Sequence, residues 1–254
     1  MPSFRHGEVE IAYLDQSQNP SHPTPIVLVH GFGSNAQVNW VYPGWVAELT
    51  RAGRRVIALD NRGHGGSAKL YEASVYHTTK MAEDVVALID HLGIERADFM
   101  GYSMGARICA FVALKHPDRV RKLVLGGLGA WLVEGVGLPE SIADALLAPS
   151  LDDVTDATGR MFRSFAEQTK SDRKALAACI RGSRQTLTRE EVATIKAPTL
   201  IGVGTKDDVA GSPHELAAMM PNARGLDIPD RDHMLAVGDK VFKAAVLQFL
   251  DSGL

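Results

Sequence analysis

A serine lies between two glycines in the sequence Gly-Tyr-Ser-Met-Gly, at residues 101–105. An apolar segment precedes this motif, and an amphipathic pattern with Ile108 and Val112 follows it, so the sequence predicts a sharp turn from strand to helix. At the tip of such a turn the Ser103 hydroxyl projects into the open, and the flanking glycines let neighbouring backbones pass closely. The helix start behind it favours developing negative charge. This context predicts that Ser103 is a nucleophile.

A serine hydroxyl needs a positioned base, and three histidines follow Ser103 in the chain. His116 ends the helix predicted after Ser103, and His214 lies in the helix start Ser-Pro-His-Glu, so we interpret both as surface residues. His233 ends the loop at residues 229–233, between a short strand and the last helix. A base at that place can reach over the sheet, so we predict His233 as the base.

Two adjacent carboxylates compete to orient that histidine. Asp207 and Asp208 follow the apolar segment 199–204, and the usual turn places the acid three residues after the strand-ending glycine, which favours Asp207. Asp230 and Asp232 are closer to the histidine in sequence, but we expect them to bond the local backbone. The acid would hold the imidazole in the required tautomer and stabilise the imidazolium.

Acyl transfer also requires N–H donors for the developing oxyanion. Met104 follows the nucleophile and supplies one backbone N–H. The loop His-Gly-Phe-Gly at residues 30–33 follows another apolar segment, and we assign the second N–H to Phe32.

A competing motif occupies the same loop. Residues 31–36 match the dinucleotide-binding pattern G-x-G-x-x-A, and Asp60 ends the next strand as a ribose-binding acid would. However, Pro43 and Gly44 interrupt the helix that should hold the pyrophosphate, and Ser103 is left without a role. We therefore disfavour a dinucleotide-binding protein.

The elements that must position these groups alternate along the chain. A helical pattern over residues 78–92 separates two of the short apolar segments, which lie at 26–30, 55–60, 97–102, 123–125 and 199–204. Continuous hydrophobicity suits parallel strands buried on both faces, so the sequence predicts an α/β fold with a parallel sheet. Between Gly127 and Ile195 only helices are predicted, one of them with a capping box formed by Thr188 and Glu191.

Composition excludes several classes of protein. The chain has 254 residues, 45% of them hydrophobic, and a formal net charge of −3, which argues against nucleic-acid binding. Its two cysteines have no metal-ligand spacing, and no apolar segment approaches the roughly 20 residues that span a bilayer. We expect a cytoplasmic protein without a secretory signal and without nucleic-acid or membrane partners, as a monomer or homodimer.

Taken together, the motifs resemble those of the α/β-hydrolase family. They stand in the family's order over nearly the whole chain, at residues 30–33, 60–67, 101–105, 204–207 and 232–233. The resemblance implies a mostly parallel eight-stranded sheet flanked by helices, with a helical cap inserted after strand 6. It assigns residues 1–126 and 195–254 to the core and 127–194 to the cap. It also implies no metal or organic cofactor, and a structural role for the 60–67 loop and its His64.

We therefore predict a serine hydrolase that cleaves a small-to-medium carboxylic ester through an acyl-enzyme, with the triad Ser103, Asp207 and His233. The same triad would serve C–C bond or enol-lactone hydrolysis, or cofactor-free perhydrolysis, and the sequence does not separate these reactions. A small-molecule receptor with little turnover and a purely structural member are further alternatives. An intact triad favours catalysis.

The substrate pocket is predicted from the helical segment. Trp131, Phe162 and Phe165 are expected to line a modest apolar pocket for the acyl part of a small-molecule substrate, beside Phe32, although residues of this type also form the core of a cap. Basic residues converging on the pocket would favour an acidic or sugar substrate. We interpret the arginines of this segment as a solvated helix face: Arg160, Arg163 and Arg184.

Overall fold

A computed structural model describes residues 1–18, 20–135 and 138–252 of the chain. The strands are β1 (Ser3–His6), β2 (Val9–Gln16), β3 (Ile26–Val29), β4 (Val56–Leu59), β5 (Ala97–Tyr102), β6 (Val120–Gly126), β7 (Thr199–Gly204) and β8 (Ala223–Ile228). The helices are α1 (Trp45–Arg51), α2 (Thr78–His91), α3 (Met104–Lys115), α4 (Trp131–Glu134), α5 (Ser141–Leu147), α6 (Ala157–Gln168), α7 (Arg173–Gly182), α8 (Arg189–Ala193), α9 (Pro213–Met219) and α10 (Lys240–Asp251).

The strands form one sheet in the order β1-β2-β4-β3-β5-β6-β7-β8. β2 pairs antiparallel with β1 and with β4, whereas the other neighbours pair parallel. The chain leaves β3 toward β4 and later returns to β5 on the opposite side of β3, and a crevice opens at the carboxyl ends of strands where the order reverses in this way. The loop after β3 and the turn after β5 therefore meet at this crevice.

β3 and β4 are apolar at every position, as expected for strands of a sheet that is covered on both faces. Val27 and Val29 of β3 pack with α2 and α3, whereas Ile26 and Leu28 pack on the other face with α1 and α10. All four side chains are fully buried. Each contributes roughly 1.5–3 kcal/mol relative to an exposed side chain, so these strands form a rigid support for the loops at their ends.

The structure confirms the predicted fold class. The five predicted apolar segments correspond to β3, β4, β5, β6 and β7, and the helix predicted at 78–92 is α2. The capping box is also present: the Glu191 amide donates to the Thr188 hydroxyl over 3.1 Å, and the Thr188 amide donates to the Glu191 carboxylate over 2.8 Å. β1 and β2 were not recognised as strands from local patterns.

In the described part of the chain, five α-helices, α4 to α8, lie between β6 and β7. Their division from the core as a cap of residues 127–194 stays a prediction, and residues 136 and 137 of that interval lie outside the described residues, as do residue 19 and residues 253–254 of the predicted core. Over the three described ranges, no helix combines the length and the apolar character that crossing a membrane requires.

Candidate active site

The turn between β5 and α3 holds Ser103 in a backbone conformation that few side chains adopt. Its φ is 54°, and its amide donates to the Gly126 carbonyl over 2.7 Å. A Cβ at Gly101 would lie 2.2 Å from the Gly105 carbonyl oxygen, and one at Gly105 would lie 1.9 Å from the Val29 carbonyl oxygen. Only glycine fits at both places, so the flanking residues allow the turn to pack against β3 with the serine at its tip.

The structure brings the three predicted chemical side chains together. The Ser103 hydroxyl lies 2.9 Å from Nε2 of His233. Nδ1 of the same imidazole lies 2.7 Å from Oδ2 of Asp207, and Oδ1 of Asp207 accepts the Val209 amide over 3.0 Å. The Asp207 side chain is fully buried. Both of its oxygens therefore accept their hydrogen bonds in a site shielded from water.

The loops that carry the acid and the base are tied to each other and to the turn after β5. A Cβ at Gly204 would lie 2.1 Å from the Arg231 carbonyl oxygen, which also accepts the Lys206 amide over 3.0 Å. The Tyr102 hydroxyl donates to the His233 carbonyl over 2.6 Å. Burial raises the pKa of Tyr102, so the phenol stays a donor. The prediction missed this role of Tyr102, because its place in the G-x-S-x-G motif is one where any residue type is allowed.

The other histidines considered as bases lie elsewhere and have acidic partners. His116 Nε2 lies 3.0 Å from a Glu83 carboxylate oxygen, and His214 Nε2 lies 3.0 Å from Asp227 Oδ2. Both imidazoles are therefore occupied by ion-pair or hydrogen-bond partners away from the serine.

The competing acids are also separated from the imidazole. Asp208 is exposed, and Asp232 accepts the backbone amides two and three residues ahead of it, as expected. Asp230 differs from expectation: its exposed carboxylate pairs with Lys206 over 3.0 Å instead of bonding local backbone. The lysine lies in the loop after β7, so a long-range contact replaces the local one.

The loop after β3 lies against the nucleophile. A Cβ at Gly31 would be 3.4 Å from the Ser103 Cβ, and the Gly31 amide is held by the Asn39 side chain over 3.0 Å. Within the described part of the chain, the Phe32 amide donates to no protein acceptor. Met104 is the first residue of α3, where amides have no partner inside the helix. Both predicted oxyanion donors are thus available.

Two buried imidazoles tie this loop to the 60–67 loop. His30 Nε2 accepts the Asn61 amide over 2.9 Å, and His64 Nε2 accepts the Gly33 amide over 3.2 Å. Each Nδ1–H donates to a backbone carbonyl, that of Gly31 or that of residue 62. Both rings must therefore stay neutral, which agrees with a structural role for His64.

Acid is expected to destabilise the protein through these two rings. Burial lowers the pKa of His30 from 6.5 to about 4, and burial together with the His30 charge lowers that of His64 to about 3. Below pH 6.5 the unfolded chain binds protons that the folded chain does not, so the free energy of unfolding falls by up to about 1.4 kcal/mol per pH unit for each imidazole. This loss continues until the pH reaches the folded-state pKa values.

Urea unfolding at pH 7.5, 6.0 and 5.0 measures this dependence. His77→Gln is the control, because it removes an exposed imidazole and leaves His30 and His64 in place, so the fall in stability toward acid should persist in this variant. A free energy of unfolding that stays constant from pH 7.5 to pH 5.0 would contradict the assignment of neutral buried rings.

Two cavities meet at Ser103. The larger, about 190 Å³, is mostly apolar and is lined by Val38, Phe162, Phe165, His233 and Val237 among others. The smaller, about 60 Å³, is lined by Met104, Leu128, Ile180 and the arginines 107 and 184 among others. Phe32 and Ser103 line both, so the nucleophile stands at the junction of two chemically different compartments.

Two of the three predicted pocket residues line a cavity in the described part of the chain, and the third does not. Phe162 and Phe165 line the larger cavity, as expected. Trp131 is not among the described residues that line either cavity, and this corrects the prediction. Its ring covers the backbone of Gly211, where a Cβ would come within 2.6 Å of it. The missing side chain at Gly211 lets the half-buried indole lie against the backbone there instead of in the pocket.

The arginines of the helical segment also differ from the solvated helix face that was predicted for them. Arg163 is buried, pairs with Glu167 over 2.6 Å and donates to backbone carbonyls, so the expectation of a solvated side chain was wrong for it. Arg160 donates to two carbonyls before α6. Arg184 lines the smaller cavity together with Arg107, which the prediction missed. The signal was a lone cation in the apolar first turns of α3.

Among the described residues, no three His, Cys, Asp or Glu side chains are placed to hold a metal ion. The reactive groups that the structure places at this crevice include the serine, the imidazole, the buried carboxylate, the free amides and the arginines of the smaller cavity.

The sequence and the structure of this chain are similar to those of known proteins. A family model described as the alpha/beta hydrolase fold matches residues 24–133. BpoC of Mycobacterium tuberculosis, which carries the name of a non-heme bromoperoxidase, is 30% identical over 250 residues, covering 89% of this chain and 91% of that protein.

Two further comparisons extend the likeness. The dihydrolipoyllysine-residue acetyltransferase component of the acetoin cleaving system of Pseudomonas putida is 34% identical over 232 residues, which cover 84% of this chain but only 59% of that relative. The crystal structure of a hydrolase from Pseudomonas aeruginosa PA01 superimposes with a TM-score of 0.79 at 27% identity, over 99% of this chain and 98% of that one.

Proposed function

The chain belongs to the α/β-hydrolase family, and we propose that it is a serine hydrolase that cleaves a small-to-medium carboxylic ester through an acyl-enzyme. The observation that carries this proposal is the continuous chain of hydrogen bonds from Asp207 through His233 to Ser103. A nucleophile, a base and an orienting acid in this order are what acyl transfer requires.

In the first half of the proposed reaction, Nε2 of His233 takes the proton of Ser103 as the oxygen attacks the ester carbonyl carbon. The negative charge that develops on the carbonyl oxygen is stabilised by the amides of Phe32 and Met104, and each such donor is worth roughly 10²–10³ in rate. The imidazolium then protonates the alcohol oxygen as its bond to the acyl carbon breaks. Asp207 stabilises the imidazolium without taking its proton.

In the second half, a water molecule attacks the acyl-enzyme. His233 takes a proton from this water and returns it to Ser103 Oγ as the carboxylic acid leaves, so the net reaction is ester plus water giving acid plus alcohol. The largely apolar larger cavity supports a substrate with an apolar portion, with Phe162 and Phe165 as its aromatic walls.

Two assays test this function together. The protein is incubated with p-nitrophenyl acetate, butyrate and octanoate, and separately with a serine-directed phosphonate followed by peptide mapping. We expect turnover of at least one ester and a single label on Ser103. The absence of both ester turnover and Ser103 labelling would contradict a hydrolase and would favour a small-molecule receptor.

Perhydrolysis is a second candidate, favoured by the 30% identity with BpoC over 91% of that protein. Here hydrogen peroxide replaces water as the acceptor of the acyl group, so a carboxylic acid and hydrogen peroxide give a peracid and water. Bromide oxidation by peracid in a mixture of acetate and hydrogen peroxide measures it. A rate with the enzyme no faster than the uncatalysed mixture excludes this reaction.

A further inference from the structure

The smaller cavity beside Ser103 carries two cationic side chains on its walls. Arg107 lies one helical turn after the nucleophile, and its residue is only 9% exposed. Arg184 reaches the same cavity from the segment after α7. Two arginine residues therefore line a space that adjoins the reacting serine.

The positive charge of Arg107 has no negative partner. It donates to the carbonyls of Gln185 at 2.8 Å, Trp131 at 3.2 Å and Leu132 at 3.4 Å. Among the described residues, no carboxylate lies within 4.0 Å of it or of Arg184, which donates to the Leu138 carbonyl. A guanidinium has five N–H donors, so these three carbonyl contacts leave Arg107 with unused ones.

Burial of an uncompensated cation is costly, and the protein carries that cost here. Burial and the neighbouring charge of Arg184 lower the pKa of Arg107 to about 10, which still leaves the group charged at neutral pH. By contrast, the buried Arg54 is paired with the buried Asp98 over 2.9 Å. An anion bound in the smaller cavity would supply the partner that Arg107 lacks.

The position of the base decides which part of an ester enters this cavity. The leaving alcohol takes its proton from His233 Nε2, so it must lie on the imidazole side of Ser103. His233 lines the larger cavity and is not among the residues lining the smaller one. The alcohol portion therefore belongs in the larger apolar cavity, and the acyl chain in the smaller cationic one.

We propose that the acyl chain of the substrate ends in a carboxylate bound by Arg107 and Arg184, so that the preferred substrates are monoesters of short dicarboxylic acids with an apolar alcohol. This inference rests on the proposed esterase function. A volume of about 60 Å³ limits the acyl chain to a few carbon atoms, because an engineered cavity that binds one benzene molecule measures roughly 150 Å³.

A matched pair of substrates isolates the charge. Monobenzyl succinate carries the carboxylate, and benzyl succinamate replaces it by an amide of the same shape. We expect kcat/KM to be about 10- to 100-fold higher for the succinate, which is the usual range for a hydrogen bond to a charged group. A ratio of one or less, with benzyl succinamate turned over, overturns the inference and leaves the esterase proposal standing.

A second pair tests the orientation. Benzyl butyrate is compared with 4-carboxybenzyl butyrate, which places the carboxylate on the alcohol side. We expect this carboxylate to lower kcat/KM because the larger cavity is mostly apolar. A higher kcat/KM for 4-carboxybenzyl butyrate would overturn the assignment of the acyl chain to the smaller cavity.

Variants identify the responsible side chains. Arg184→Gln is expected to lower the succinate-to-succinamate ratio about tenfold. Arg181→Gln is the matched control, because this exposed arginine on α7 pairs with Asp144 over 2.8 Å and should leave the ratio unchanged. An equal fall of the succinate-to-succinamate ratio in both variants would indicate a general electrostatic effect of positive charge and would overturn the inference.

Arg107→Gln is expected to lower the same ratio further, with its folding checked by thermal unfolding. Failure of the hydrolase proposal gives a different result from failure of this inference. If the protein is not a hydrolase, neither benzyl ester is turned over and the phosphonate does not label Ser103.

Discussion

Ser103→Ala is expected to lower kcat on p-nitrophenyl butyrate by a factor on the order of 10⁶, the loss seen when a serine protease loses its nucleophile. The remaining rate would come from the amides of Phe32 and Met104 and from substrate binding. Alanine keeps the Cβ that already tolerates the φ of 54° at this position, so the thermal unfolding temperature should stay close to that of the unaltered protein. Initial rates and thermal unfolding check the two parts of this prediction.

Ser183→Ala is the matched control for this loss. Ser183 is a buried serine that lines the smaller cavity. Its hydroxyl donates to the Cys179 carbonyl over 2.8 Å and has no imidazole next to it. We expect kcat to change by less than about tenfold, because no nucleophile is removed. If both variants lost activity equally, the chemistry would depend on the cleft as a whole and not on Ser103.

The site was predictable from sequence to the extent that local chain geometry determines it. The glycines around Ser103 mark a turn in which the backbone at Gly101 closely approaches that at Gly105, and this requirement depends on five consecutive residues. Asp207 and His233 follow strands of a sheet whose neighbours run parallel, so their loops emerge at the same edge. Order along the chain then predicts proximity in space.

The walls of the pocket were not predictable in this way. Whether Trp131 faces the cavity depends on Gly211, which lies 80 residues further along the chain and leaves room for the indole. Arg107 appears in sequence as one cation in an apolar helix, and only the packing of α4 and the segment after α7 shows that its charge lacks a partner. Side-chain direction between distant segments is not encoded in residue type.

β1 and β2 were missed for a related reason. β2 is eight residues long, but only Ile11, Ala12 and Tyr13 at its centre are buried, and its other five residues are half-buried or exposed. It therefore lacks the continuous apolar character that identified the central strands. Its antiparallel pairing with β1 and β4 depends on the rest of the sheet, not on a local pattern.

Asp207→Asn is expected to lower kcat by about 10⁴-fold, through the tautomer of the imidazole rather than through loss of folding. Asp207 Oδ1 accepts the Val209 amide, and an asparagine must keep its oxygen there because its NH₂ group cannot accept an N–H. The NH₂ group then faces Nδ1 of His233 as a donor. This arrangement moves the ring proton to Nε2, where the imidazole can no longer take the proton of Ser103.

Asp208→Asn separates this mechanism from a simple change of charge. It removes the same carboxylate one residue further along, on an exposed side chain, so we expect kcat to change by less than about threefold. Steady-state kinetics of both variants on p-nitrophenyl butyrate decide between the two acids. Equal losses would mean that the loop, and not the Asp207–His233 hydrogen bond, controls the base. A loss confined to Asp207→Asn would tie the reactivity of the serine to the proton on Nδ1.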